Sequence, residues 1–395
     1  MLLSWYSNAP WKGSGYGTQT AQMIPRLVAA GHDLAIINNF GLMGMLGEWQ
    51  GVPVYPAGGD KYSNDVFLAH HMAHTKGKPS WLITLFDTWV FNRAQCKDVH
   101  IASWTPVDHM PVEPAVVDWA KEHYTIAMSR YGQAQFESAG VQARYAPHGI
   151  EKVYCPTETT EAGVSGRAAM GLPDDAFVVM VNANNAGNHP PRKAWGEMLV
   201  AFGAFAQTHP DAYLYLHTHK TGFSGVDIPQ LLRTTMIPEG RVRFVEQYPY
   251  VLGTIGQRDM AALYTAADVL LATSYGEGFG LPVMEAQACG TPVIVSDFTA
   301  QPELIGAGWK VPVQPWWDTP HAAFFGIPMI GGIIRALEEA YERRGDPQLK
   351  EQALAKAAEY DADLVFDTYW RPILAELESL LLPRKVRRAK AGKKR

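Results

Sequence analysis

Cysteine is scarce in this sequence. Three in 395 residues (Cys96, Cys155 and Cys289) form no CxxC pair, which leaves no even set for a disulfide framework and fits reduced thiols in a cytoplasm. Charge is sparse as well: Asp, Glu, Lys and Arg make up 18% of the chain, on the low side for a globular protein. Long hydrophobic runs are absent. The longest, 322–334, is broken by Gly326, Pro328, Gly331 and Gly332 and falls short of the ~20 apolar residues that a spanning helix needs. The opening MLLSWYS carries no basic residue, so it is expected to be a strand and not a secretory leader. No repeat of solenoid length is present.

What is present is apolar material, 47% of the residues, in a chain too long for one comfortable core. Two domains are therefore expected. The net charge of −5 hides an asymmetry: residues 384–395 hold eight Lys or Arg and no acid, leaving 26 basic against 39 acidic residues elsewhere, a net of −13. Such a tail reads as a disordered solubilising segment, or as a contact for nucleic acid, acidic protein or anionic membrane. It has no aromatic side chain for base stacking.

Continuous apolar runs alternate with helical stretches, the pattern of a parallel sheet covered on both faces. Strands are read at 2–7, 33–38, 81–86, 100–105 and 124–129, with a helix over 18–30 that Gly31 stops. After the polar stretch 157–166 the pattern restarts, with strands at 176–181, 212–217, 242–245, 269–272 and 292–296 and helices at 192–208, 259–266 and 282–288. The expected fold class is α/β, two doubly wound Rossmann-like units in tandem. The expected division is 1–160, 161–365, a C-terminal helix over 366–382 and the basic tail 383–395.

The most informative stretch is SYGEGFGLPVMEAQACGTP, residues 274–292. A strand ends near Thr273, a glycine-rich loop follows, and Pro282 suits a first helical position. Glycines let backbone N–H groups approach a ligand, and the helix start offers unpaired donors and a positive dipole end to an anion such as a diphosphate. Glu277 on the loop and Glu285 about one turn into the helix are placed to share one crevice at the carboxyl ends of the strands. Carboxylates suit sugar and ribose diols.

Glu277-x7-Glu285 within EGFGLPVMEAQACGTPVI resembles the signature of the GT-B retaining glycosyltransferases, family four. The resemblance implies two Rossmann-like domains facing a central cleft, with a C-terminal helix crossing back to the first. It assigns Glu277 to hydroxyls of the transferred sugar, Glu285 to the nucleotide ribose, and the amides around Gly278, Phe279, Gly280 and Leu281 to the sugar and diphosphate. IAMSRYG (126–132), AGV (139–141), APHGI (146–150) and YCP (154–156) are similar to the stretch that joins the two domains in that family. AADV (266–269) resembles the strand before the donor site. DFTAQPELIG (297–306) resembles the loop after it and puts Glu303 at the donor. YWRP (369–372) falls in the returning helix.

The loop Gly13-Ser-Gly15-Tyr-Gly17 is GxGxG and no acid ends the second strand, so a Rossmann dinucleotide reading is weak. The resemblance places Gly15 and Gly17 near donor phosphates and acceptor; the bland alternative is a tight turn. In Pro190-Pro-Arg192-Lys193, Lys193 matches the family's phosphate-neutralising lysine. The arginine usual at the preceding strand end is replaced by Asn182, Asn184 and Asn185, which leaves Arg192 to supply the second charge. The alternative is a solvated helix start, which the dipole disfavours for cations. Asp87, where many relatives carry His-Asp but Phe86 stands here, and Asp108 and His109 are the titratable groups expected to face the cleft, to orient or deprotonate the acceptor hydroxyl. In enzymes of this class the leaving phosphate is inferred to take that proton, so a dedicated base is not required.

His217-Thr-His219 lacks an apparent third ligand, and Asp361-Ala-Asp363 matches DxD only formally and reads as a helix cap. His70, His71 and His74 read as structural. No metal and no cofactor is implied. The expected activity is transfer of a hexose-type sugar, from a UDP-sugar in preference to a GDP-sugar, with retention. The base is expected to be held largely by backbone around 245–250. SWYSNAPW (4–11) resembles an actinobacterial and bacteriophage subgroup, which would admit a modified DNA base or a protein, besides a small molecule, as acceptor. The alternatives are a GT-B nucleotide-sugar epimerase and a catalytically idle sugar-nucleotide-binding module. A phosphorylase-like reading needs a pyridoxal lysine, and Lys193, Lys220 and Lys310 sit in no recognisable setting for one. A cytoplasmic monomer or homodimer is expected, in the host cytoplasm for a bacteriophage protein.

Overall fold

The structure is a computed structural model that describes residues 1–187, 191–222 and 224–381. Pro190 and the basic tail lie outside the described residues. Two compact units share the chain. The first comprises Met1–Pro106, Val112–Gly149 and the chain from Ala362; the second comprises Val107–Pro111 and Ile150–Asp361. The change-over thus falls at Gly149/Ile150 and not at 160, and at Asp361/Ala362 and not at 365. Hydrogen bonding explains the shift. Ile150 N–H donates to Tyr360 O at 2.7 Å, Thr157 N–H to Thr265 Oγ1 at 3.0 Å and Glu161 N–H to Asp259 Oδ1 at 2.8 Å. The polar stretch that reads as a linker is tied into the second unit.

Among the described residues, the first unit is built on eight strands: β1 (Leu2–Ser7), β2 (Asp33–Asn38), β3 (Gly47–Trp49), β4 (Val52–Tyr55), β5 (Trp81–Leu85), β6 (Ile101–Thr105), β7 (Tyr124–Ala127) and β8 (Ala143–Tyr145). Their order is β3-β4-β2-β1-β5-β6-β7-β8, parallel throughout except for the β3–β4 edge hairpin. Residues Trp81–Leu85 and Ile101–Thr105 are buried along their whole length, as strands covered on both faces must be.

The chain from Ala362 returns to this unit through aromatic packing. Trp370 is fully buried, its ring 4.9 Å from Trp104 and 6.3 Å from Trp5. Trp81 Nε1 donates to Leu377 O, and Arg144 forks onto Glu376 with two contacts of 2.8 Å.

The second unit holds β9 (Phe177–Asn182), β10 (Ala212–His217), β11 (Val242–Phe244), β12 (Val269–Ala272), β13 (Val293–Ser296) and β14 (Gly308–Val311). All six are parallel, in the order β11-β10-β9-β12-β13-β14. Phe177, Val179, Leu214, Leu271, Trp195, Phe202, Ile333 and Leu337 form its core between sheet and helices. The strand order reverses beside β9, the kind of switch point where ligands of such sheets bind.

A separate antiparallel hairpin, β15 (Val313–Asp318) with β16 (Ala323–Pro328), was not read from the sequence. It pairs further with Met110: Met110 N–H donates to Phe324 O and Phe324 N–H to Met110 O. This pairing draws Val107–Pro111 into the second unit. Among the described residues, no helix is long and apolar enough to cross a membrane.

Candidate functional site

β12 ends at Ala272, and the chain turns through 273–280 into the helix Leu281–Ala288. Gly280 at its start has a φ of +118°, a conformation that side chains resist. No side chain caps this helix, and Pro282 has no N–H to offer. Val283 N–H donates to Gly280 O at 3.0 Å, so the Leu281 amide is the first-turn donor placed to meet an anion. At Gly276 a Cβ would stand 1.9 Å from the Asp108 carbonyl oxygen, so glycine permits Val107–Pro111 to lie against the loop. Thr273 Oγ1 and Gln301 Oε1 are buried at this strand edge without a hydrogen-bond partner. Such atoms are uncommon in folded proteins and mark a place for a ligand or water.

Glu277 is gripped from two sides. Lys193 Nζ contacts its Oε1, and Arg192 Nη1 lies 3.1 Å from its Oε2. Arg192 Nη1 also donates to Gly276 O and lies 3.4 Å from Asp108 Oδ2. Burial alone would raise the Glu277 carboxyl, but Lys193 and Arg192 outweigh it and hold it at about 2. Burial, reinforced by the neighbouring Arg192, pulls the Lys193 ammonium down against Glu277. The two cations precede the helix and are not part of it. That helix spans Trp195–Phe205, because Ala194 adopts a left-handed φ of 52°. The expected start at 192 is corrected accordingly. Tyr275 N–H donates to Arg192 O at 2.8 Å, which pins the cations to the glycine loop.

Glu285 is 7% exposed. Tyr264 donates its hydroxyl to Glu285 Oε2 at 2.8 Å, and Asn182 Nδ2 donates to Tyr264 Oη at 2.6 Å. Tyr154 lies beside Glu285 and favours its ionised form. Burial raises the Glu285 carboxyl to about 7 even though both tyrosines favour the ionised form. The two glutamates of the motif thus have opposite environments: Glu277 ionised between cations, Glu285 poised near neutrality beneath phenols.

Asp108 and His109 belong to a further chain of contacts in the same unit. Asp108 Oδ1 lies 2.9 Å from His109 Nδ1, and His109 Nε2 lies 3.2 Å from Asp318 Oδ2. His321 Nδ1 meets the same Asp318 oxygen at 2.5 Å. His109 is 3% exposed and engages both ring nitrogens with carboxylates, so in this arrangement it offers no lone pair to a substrate proton. His109 Nδ1 and the Arg192 charge outweigh burial and hold the Asp108 carboxyl at about 2.

Glu303 stands half-buried in the turn Gln301–Leu304, which Gln287 Nε2 fastens by donating to Leu304 O at 2.9 Å. Gly15, Gly17 and Asp87 belong to the first unit. The helix there is Gly15–Ala29, capped by Ser14 Oγ, which accepts from Gly17 N–H. Both glycines therefore sit in its first turn, and the helix does not wait for Thr18 as read from the sequence. A Cβ on Gly17 would come within 2.1 Å of Lys12 O, so packing alone demands a glycine there. Asp87 ends the strand region after β5 and accepts from Tyr16 Oη at 3.1 Å.

Asn185, one of the three asparagines in place of the usual arginine, is committed elsewhere. Its side chain bonds His219 O, Val226 O and Val226 N–H. Burial pushes the His217 imidazole down to about 4, and no group of three metal-binding side chains forms around His217 and His219 among the described residues. Residues Gln247–Leu252, overlapping the 245–250 stretch expected to hold the base, form a helix.

Sequence reasoning missed the roles of Tyr264, Tyr154, Asp318 and His321. Tyr154 belongs to the YCP stretch, 154–156, whose resemblance gives it no role. Asp318-Thr-Pro-His321 carried a usable signal, an acid and a histidine three apart in a turn between apolar strands.

Residues 247–311 match the family model described as Glycosyl transferases group 1, so Glu277, Glu285 and Glu303 all fall inside the matched segment. The D-inositol 3-phosphate glycosyltransferase of Saccharomonospora viridis is 34% identical over 163 residues, 39% of this chain and 36% of that protein. The chain spans about a third of the length of the curated relatives it matches. Among solved structures, sucrose-phosphate synthase from Thermosynechococcus elongatus superposes with a TM-score of 0.71 at 18% identity, covering 95% of this chain and 99% of that one. Anabaena HepE, solved in complex with UDP-glucose, gives 0.66 at 15% identity, covering 95% and 100%. These likenesses show the fold, the two-domain GT-B class read from the sequence.

Proposed function

We propose that this protein is a glycosyltransferase that moves a hexose-type sugar from a nucleotide-diphosphate sugar to an acceptor hydroxyl with retention of configuration. The observation that carries the reading is the pairing, within one matched segment, of an uncapped glycine-entered helix start with two glutamates of opposite character. The helix start and the Arg192–Lys193 pair form a cationic seat for a diphosphate. Glu285, with its phenol partners, suits a ribose diol, and Glu277 suits hydroxyls of the sugar.

The diphosphate has to compete with Glu277 and Asp108 for Arg192 and Lys193. Those carboxylates keep the cations in place before the donor arrives, and preorganised cations stabilise the charge that grows as the sugar–phosphate bond breaks. Retention by front-face attack, with the leaving phosphate taking the acceptor proton, fits this arrangement. Glu277 is occupied by two cations and His109 by two carboxylates, so neither is offered as nucleophile or base. A UDP-sugar is favoured over a GDP-sugar. A modified DNA base, a protein and a small molecule are the acceptor classes to examine. No step calls on a metal at the diphosphate.

The test is mass spectrometry of small molecules, protein and DNA after coexpression, followed by NMR of the product linkage with the matching purified donor. A sugar-modified product with the donor's anomeric configuration is expected. An inverted linkage would remove the mechanism. An epimerised donor formed without any acceptor would remove the transferase.

A further inference from the structure

Three side chains outside the donor loop converge on one point. His109 Nε2 lies 3.2 Å from Asp318 Oδ2, and His321 Nδ1 lies 2.5 Å from that same oxygen. One ligand atom from each lies within 4.8 Å of the others. The far nitrogen of His109 is held by Asp108 Oδ1 at 2.9 Å. A neutral imidazole has a single N–H. If Nδ1–H donates to Asp108, then the Nε2 lone pair points at an anionic oxygen. A single cation at the convergence point would meet that lone pair, the Asp318 oxygen and the His321 nitrogen together.

We infer that His109, Asp318 and His321 form a binding site for one zinc ion, with Asp108 as the carboxylate that orients His109. Two imidazoles and a carboxylate are ligands zinc accepts, with a fourth position left for water. Ligand atoms around a tetrahedral zinc stand about 3.3 Å apart at the usual bond lengths, which the 3.2 Å separation of His109 and Asp318 already meets. The His321 contact has to open by less than ~1 Å on the same geometry. That side chain lies in the turn between β15 and β16 and is 27% exposed, so it has room to do so and an approach from solvent. A carboxylate on the far nitrogen of a ligating histidine fixes its tautomer and strengthens its bond to the metal.

The ion would staple the β15–β16 hairpin to Val107–Pro111, beside the Met110–Phe324 pairing, and hold Asp108 facing Arg192. The role is structural, and it stands whether or not the protein transfers sugar.

Full-length protein is loaded with zinc chloride, dialysed against metal-free buffer and analysed by inductively coupled plasma mass spectrometry. Cobalt chloride serves as a spectroscopic probe in parallel. About one zinc per chain is expected, with intense visible absorption from a four-coordinate cobalt site and a zinc-dependent rise in Tm. Asp318→Asn and His321→Ala should lose all three, while His219→Ala keeps them. Circular dichroism confirms that each variant is folded. Zinc bound equally by both variants would overturn the inference. So would a wild-type protein with neither retained zinc nor a cobalt spectrum, which would leave a hydrogen-bonded cluster only; that arm needs no variant to fold.

Discussion

The Tyr264 hydroxyl donates to Glu285 Oε2 across 2.8 Å in the interior of the second unit. It gives that carboxylate a fixed donor, yet burial still carries the group up to about 7. Glu285 is costly to the folded state whenever it is ionised, which suits the binding role proposed for it.

This sets a pH dependence. The folded carboxyl lies above its unfolded value, so the stability it contributes is full below about pH 4.5 and is lost as pH rises through about 7. Glu285→Gln should therefore stabilise the ligand-free protein at pH 8, by about 3 kcal/mol at most from the size of the shift, and hardly at pH 5. Thermal unfolding at the two pH values checks this. Equal effects at both would contradict it.

Tyr264→Phe removes one donor and leaves Asn182 without its partner. A hydrogen bond to a charged group is worth about 1.5–3 kcal/mol, so nucleotide affinity at pH 7 should fall roughly ten- to hundredfold. Because the remaining carboxylate is then harder to ionise, the loss should shrink as pH rises toward 9. Calorimetry across that range reads both effects.

Glu277→Gln should separate binding from turnover. It frees Lys193 and Arg192 for the diphosphate, so affinity for free UDP should hold or improve. Transfer should fall by about a hundredfold or more, the order seen when one charge-stabilising contact is removed. A parallel fall in UDP affinity would show that Glu277 belongs to the nucleotide and not to the sugar.

In the first unit, Trp370→Ala should cost about 3–5 kcal/mol, because its fully buried ring packs on Trp5 and Trp104. Chemical denaturation measures it. A loss under 1 kcal/mol would mean that the C-terminal segment is not needed by that core.

The sequence was most legible where one periodicity had no competitor. The runs at β1, β5, β6, β9, β10 and β12 are continuous and apolar, and only a sheet covered on both faces accommodates them. Helix starts were misjudged where the decision was local. Ser14 caps earlier than Thr18 because its hydroxyl reaches Gly17 N–H, and Ala194 delays the next helix through a positive φ that composition does not announce. The glutamate pair was readable because loop, helix and acids are adjacent in the chain. Tyr264 and Asp318 were harder to place, since they pair with partners 21 and 209 residues away in the chain, and the local Asp318–His321 pair sits in a hairpin whose strands blur into one apolar run.

The proposed function stands or falls on the crevice at Glu285 gripping the nucleotide of an activated sugar. Isothermal titration of UDP, GDP and ADP into wild-type protein and Glu285→Ala tests it most directly. One of these nucleotides, UDP first, should bind the wild type, and its binding should vanish in the variant while circular dichroism shows both folded. Equal affinity in the two proteins, or no nucleotide bound by the wild type, would contradict it.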